Sequence, residues 1–282
     1  MNTLWIRSKL QQNVPQEYAE GLVVGPIPYK ARCGFSHTID HLLCRPHRPN
    51  QLIESLAVFG VSVYAADKSY SRALSTDGWT RTLKLSVPAT KEFMPAIPIF
   101  SQALQFLSGD LWSVEARDEP VTVGVRRYWA DGFKADSVCL FSGGTDSLTG
   151  AINLLEEGKV VTLVSHFESG AVANIQKSLS LRLIRHYGKT KVRHLAIQVC
   201  SPRTAEGSTR ARSFLFIALG LMVASAFGDD VHLYIPENGF VGINIPLTGS
   251  RQGSYSTRTT HPAYLGKMRR ALQEIGIRHK IL

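Results

Sequence analysis

The 282-residue chain is poor in cysteine, with only Cys33, Cys44, Cys139 and Cys200. Its opening stretch, Met1 to Leu10, lacks both an apolar core and a small-residue cleavage site. A secretory leader is therefore not expected, and the thiols are expected to be reduced in a cytoplasmic setting. Long hydrophobic runs are also missing. The longest, Phe214 to Phe227, is too short to cross a bilayer comfortably and reads as a helix buried in a protein core, so no membrane partner is expected. There is no run of five basic residues, no internal repeat and no low-complexity tract. The pattern G-x-x-x-x-G-K-[ST] is absent as well, which argues against transfer of a terminal phosphate by Walker-type chemistry.

What is present is ordinary globular composition, 44% hydrophobic and 19% charged, with a basic excess of 32 Lys+Arg over 22 Asp+Glu, or +10. Such a surface favours polyanions, whether nucleotides, nucleic acid or an acidic protein.

Residues 1–132 read as a smaller α+β domain without a catalytic signature. Gly21 to Gly25, Val61 to Tyr64 and the alternating Thr80 to Ser86 carry strand cues, and helical patterns run over Asn50 to Phe59 and Pro98 to Leu107. Gly109 suits the C-cap of the second helix. Asp67, Lys68 and Trp112 are expected to serve structure.

From about Asp136 the rhythm changes. Short apolar strands at Val138–Phe141, Lys159–Ser165, Val192–Val199 and Val231–Ile235 alternate with helices at Leu148–Glu157, Ala171–Tyr187 and Ser213–Phe227. This predicts an α/β fold for residues 133–282, a doubly wound parallel sheet with both faces covered. The terminal His279-Lys-Ile-Leu282 reads as the start of a further strand, so a C-terminal structural unit is expected to be missing.

The first strand of this half leads through Ser142-Gly-Gly-Thr-Asp-Ser147 into the first helix, the place where doubly wound sheets bind ligands. Gly143 and Gly144 permit close backbone approach, and successive amides at the helix N-terminus form an anion nest. Ser142, Thr145 and Ser147 add hydroxyls, and Asp146 suits a magnesium ion or a helix cap. A plain glycine turn capped by Asp146 and Ser147 is the competing reading. Arg210 and Arg212, just before the apolar helix, are placed to reach phosphate. Glu237 and Asn238 follow the fourth strand and suit a base-like substrate. Arg251, Arg258, Thr259, Thr260 and His261 form a polar cluster for an anionic substrate or leaving pyrophosphate. The pattern Cys33-x3-His37-x3-His41-x2-Cys44 would, on one helix, put its cysteines about 16 Å apart, too far to share one ion. No structural metal is expected there.

Ser142 to Ser147 resembles the S-G-G-x-D-S loop of the PP-loop ATP pyrophosphatases. Arg212-Ser-Phe-Leu-Phe-Ile-Ala-Leu-Gly220 resembles a helix of the 7-cyano-7-deazaguanine synthases. Tyr64-Ala-Ala-Asp-Lys68, Leu107-Ser-Gly-Asp-Leu-Trp112, Pro236-Glu-Asn-Gly239, Ile245-Pro-Leu-Thr248 and Ser256-Thr-Arg-Thr-Thr-His-Pro262 are similar to the QueC-like QatC family of Qat anti-phage defence operons. The chain departs from the synthases in having Ser165-His-Phe-Glu-Ser-Gly170 where they carry F-D-Y-G-Q, and in having no cysteine after Cys200.

The resemblance implies an ATP- and Mg2+-dependent ligase. It would adenylate a deazaguanine-like carboxylate, release pyrophosphate and form an amide or nitrile, with defence-operon proteins as partners. Ser142, Gly143, Gly144, Thr145, Asp146 and Ser147 would bind ATP. Asp146 and Arg212 would act in catalysis, and Glu237, Asn238, Arg258, Thr259 and His261 would bind substrate. Alternative expectations are a tRNA-modifying PP-loop enzyme and a non-catalytic nucleotide-sensing subunit.

Overall fold

In the computed structural model the described residues are 2–7, 12–26, 34–37, 51–119, 121, 132–168, 170–200, 204–239, 242 and 258–282. Cys33, His41, Cys44, Arg251 and the Ile245–Thr248 stretch lie outside them.

The protein is α/β. Its strands are β1 (Asn2–Arg7), β2 (Glu20–Pro26), β3 (Gly34–His37), β4 (Thr82–Ala89), β5 (Leu111–Asp118), β6 (Ser137–Leu140), β7 (Val161–Phe167), β8 (Val192–Cys200) and β9 (His232–Tyr234). They order as β5-β4-β1-β2-β3-β8-β7-β6-β9. Within β1 to β5 every pairing is parallel, and likewise within β6 to β9. The two parallel sets meet antiparallel, where Ser36 and His37 of β3 pair with Cys200 and Val199 of β8. The expectation of an α+β first half is thereby corrected, because the strand pairings among its described residues are all parallel, with helices between β3 and β4 and between β4 and β5. Alternation in Thr80–Ser86 marked a strand there, but alternation carries no information on strand direction.

The helices are α1 (Gln51–Ser69), α2 (Ile97–Ser108), α3 (Thr145–Glu156), α4 (Gly170–Tyr187), α5 (Arg212–Ser225) and α6 (Pro262–Glu274). Strand β6 shows how they sandwich the second half. Val138 and Leu140 join the large core cluster with α1 and α5, whereas Cys139 and Phe141 join a separate cluster with α3 and α4. This arrangement is compatible with a Rossmann-like fold.

Val61 to Tyr64, read as a strand, belongs to α1. Residues 53 to 68 of that helix are buried without interruption, so it has no polar face to reveal a helical period. Gly60 allows α1 to approach α5 closely, since a Cβ there would lie 2.8 Å from the Ala218 Cβ. Phe59, Phe100 and Phe214 close the contact with centroids 5.2–5.7 Å apart. Gly109 caps α2 in the left-handed conformation at φ 75°, as expected, with its N–H on the Gln105 carbonyl. At the opposite edge Leu282 donates to the Leu233 carbonyl and Ile235 to that of Leu282, so the last residues bridge β9 in parallel.

A buried ion network binds the two halves. Arg81 uses all five of its donors. Nε and one Nη2 bond reach Asp110, the other Nη2 bond reaches Asp67, and Nη1 serves the carbonyls of Asp67 and Tyr70. Arg72 forks onto Asp110 at 2.5 and 2.7 Å. Its Nε donates to Ser208, and its backbone N–H donates to Glu206. Asp67 turns its second oxygen to the N–H of Ala211, the residue before α5. Charges this deep persist only when every partner is in place. Burial opposes ionisation of Asp110, but the hydrogen bonds from Arg81 and Arg72 outweigh it and hold its carboxyl below 3.8.

Arg81→Met takes the closest cation from buried Asp67 and leaves Asp110 to Arg72 alone, and should cost about 3–5 kcal/mol in urea unfolding. Asp110's folded pKa is depressed, so its stabilising share is complete above the ordinary value of 3.8 and declines as pH falls below it. A loss under 1 kcal/mol (about the worth of a surface pair) would contradict the network's role.

Candidate nucleotide site

In each parallel set the carboxyl ends of the strands share one edge. In the second half that edge carries the segments after β6, β7 and β9 together with the N-terminus of α5. Gly143 has φ +87°, a left-handed conformation that explains glycine, and a Cβ there would stand 3.2 Å from the Gln176 Cγ.

The loop is closed by its own hydroxyls. Ser147 accepts from the Gly143 N–H and the Ser142 hydroxyl and donates to the Gly144 carbonyl, while Ser142 accepts from the Gly144 N–H. The glycine amides expected to form the nest are therefore engaged within the turn, and Ser147 is buried as its clasp. The outward-facing groups are one step further on. Helix α3 starts at Thr145 with no side-chain cap on Gly144, and its first bond runs from Leu148 N–H to the Gly144 carbonyl. The amides of Thr145, Asp146 and Ser147 thus precede the helical ladder, at the positive end of the helix dipole.

Asp146 and Glu237 meet. Gly150 lies one turn after Asp146 on α3, and a Cβ there would sit 2.4 Å from Pro236, so its bare backbone lets the segment after β9 settle onto the helix. Glu237 then lies against Asp146. Burial first, and the adjacent carboxylate after it, raise the pKa of Glu237. Two carboxylates pressed together offer a divalent cation a paired oxygen set.

On the β7 side, Gln176 donates to the carbonyls of Ser142 and His166, both at 3.2 Å, and ties the ends of β6 and β7 together. Arg212 leads α5 and donates from Nε to His166 Nδ1 and from Nη2 to the His166 carbonyl. Burial, and then the Arg212 charge, push the His166 pKa down to about 3, so its ring stays neutral and accepts from the guanidinium. Next along, Glu168 accepts from the Tyr64 hydroxyl and lies 3.7 Å from Lys68 Nζ. Both partners come from α1.

The remaining predicted residues are placed as follows. Arg210 stacks on Trp79 at 3.7 Å and donates to the Ser108 carbonyl, both contacts with the first half. Arg258 donates to the Phe106 carbonyl and lies over its ring, and His261 caps α6 by accepting from the Ala263 N–H. With Thr259 between them, these residues stand at the junction of α2 and α6. Asn238 is exposed, and its carbonyl accepts from Gly242. Burial pushes the Cys139 thiol up to about 12, which removes it as a nucleophile. Among the described residues no group of three or more His, Cys, Asp or Glu is arranged to hold a metal ion, and no helix is long and apolar enough to cross a membrane.

Sequence reasoning gave no site role to Tyr64, His166, Glu168 or Gln176. Tyr64 was noted only at the head of the Tyr64–Lys68 motif, and His166 and Glu168 only within the Ser165–Gly170 departure after the second strand of this half. No protein-family model matches the chain, and no curated protein or solved structure matches it either.

Gly150→Val should lift Pro236 away and part Glu237 from Asp146, so the Glu237 carboxyl, followed by carbon NMR, should titrate lower; an unmoved pKa contradicts the contact. His166 is neutral down to about 3 and His194, desolvated, to about 4, whereas unfolded histidine titrates near 6.5. The unfolded chain then binds more protons, and stability should fall as pH drops from 6.5 towards 4. A flat urea midpoint over that interval would show that these rings ionise in the fold.

Proposed function

We propose that this protein is an ATP-dependent adenylating enzyme of the PP-loop pyrophosphatase type, built on a doubly wound nucleotide domain. It activates a deazaguanine-like carboxylate, releases pyrophosphate and lets an amine displace AMP, in anti-phage defence. The observation that carries this reading is the uncapped start of α3 behind a glycine loop, with a carboxylate pair on one flank and a held arginine on the other. The resemblance of Ser142–Ser147 to the S-G-G-x-D-S loop points the same way.

The amides of Thr145, Asp146 and Ser147 bind the phosphates, supported by the dipole of α3. The Asp146–Glu237 pair fits magnesium, which takes one or two carboxylates plus phosphate oxygens and supplies charge neutralisation on the triphosphate when bound. Arg212, oriented by the neutral His166 ring, neutralises charge developing at the α-phosphate. Most of the acceleration then comes from positioning and fixed charge.

The full chain, given ATP, Mg2+ and 7-carboxy-7-deazaguanine, should release pyrophosphate and form AMP. Arg212→Lys should slow turnover by about 10²-fold with the fold intact. ATP binding without pyrophosphate release would instead identify a nucleotide-sensing subunit. Salt-sensitive affinity for tRNA, with turnover only in its presence, would identify a tRNA-modifying enzyme. A folded protein that binds no ATP would end the proposal.

A further inference from the structure

We infer that Glu168, held by Tyr64 and Lys68 of α1, accepts the ribose hydroxyls of the bound nucleotide, so the first half of the chain selects ribonucleotides. The inference rests on the nucleotide reading above and deepens it. A nucleotide with its phosphates at the start of α3 extends along the carboxyl edge towards the neighbouring strand. In the dinucleotide-binding parallel α/β sites, an acidic side chain at the end of the second strand takes a ribose hydroxyl, and the same placement is open to Glu168 here. Here the second strand is β7, and Glu168 is the residue immediately after its end. Gln176 keeps this end within one amide's reach of Ser142, so loop and acceptor belong to a single rigid edge.

The carboxylate is prepared for such a task. Its two partners are buried, Tyr64 at 1% and the Lys68 side chain at 5% exposure, while the Glu168 side chain itself is 39% exposed. Both partners engage Oε1. Oε2 accepts nothing among the described residues and is left for a hydroxyl donor. Burial and the adjacent carboxylate raise the Tyr64 pKa, so its phenol remains a donor that fixes the carboxylate's orientation. Tyr64 and Lys68 are thus positioning residues, and Glu168 touches the ligand. A pair serving only to join α1 to β7 would be indifferent to the sugar.

Isothermal titration of the full chain with Mg2+ and ATP, 2′-deoxy-ATP or 3′-deoxy-ATP tests this. The wild type should prefer ATP to at least one deoxy analogue by about tenfold or more, since Oε2, covered by a ligand that lacks the hydroxyl, would lose its solvent without gaining a donor. Glu168→Ala should bind ATP and that analogue alike, and Glu168→Gln should keep part of the preference. Tyr64→Phe should lose part of it while circular dichroism shows the fold retained. Equal wild-type affinity for all three nucleotides, or an unchanged preference in Glu168→Ala, overturns the inference and leaves the nucleotide reading standing. Absence of binding to any nucleotide by the folded wild type overturns both.

Discussion

The site depends on the burial of two aspartates against two arginines. Asp67 and Asp110 lie in the first half, as do Arg72 and Arg81, yet Asp67 also receives the Ala211 N–H and Arg72 receives Ser208 and Glu206 as partners. The segment leading into α5 is therefore pinned to Asp67 through Ala211 and to Arg72 through Ser208 and Glu206. Arg212 follows at once, so the direction in which that guanidinium leaves the helix is set by residues far back in the chain. Buried ionic groups of this kind add little net stability over an apolar core but are costly to break singly. Their value here is in fixing how α5 enters the core.

The first half thereby acquires a part in the site. Helix α1 packs along α5 through Gly60 and Ala218, and it brings Asp67 to the network and Tyr64 and Lys68 to Glu168. One helix serves both the anchor and the edge. Lys68, expected to serve structure, pairs with Glu168 just after the end of β7. The stretches Tyr64–Lys68 and Leu107–Trp112 hold no catalytic pattern in themselves. Their aspartates meet through Arg81, and Trp112 bonds the Ser108 hydroxyl as a core residue.

The second half was legible because its signals are local. A buried strand, a glycine pair and a helix in immediate succession define the loop, and the later strands and helices fall within a few residues of their expected bounds. The first half was less so. Full burial erased the period of α1, and β-branched Val61 and Val63 favoured a strand on propensity alone. Strand direction depends on crossovers that leave no mark in the strand itself. Within the loop, composition indicated hydroxyls near phosphate but not that Ser142 and Ser147 would spend them on the glycine backbone. The pairs Tyr64–Glu168 and Asp146–Glu237 join residues roughly a hundred positions apart, where no sequence spacing can signal contact. Arg258 and His261 were chosen for their chemistry, and their contacts with Phe106 and the start of α6 left no mark in the sequence.

The central claim is that nucleotide phosphates rest on the free amides that open α3. Amide hydrogen exchange of the full chain, with and without saturating Mg2+ and a non-hydrolysable ATP analogue, addresses it directly. Exchange at Thr145, Asp146 and Ser147 should slow markedly on addition of the nucleotide, while the already bonded amides of Gly143 and Gly144 change little. Nucleotide binding that leaves those three amides exchanging at their original rate would contradict the account.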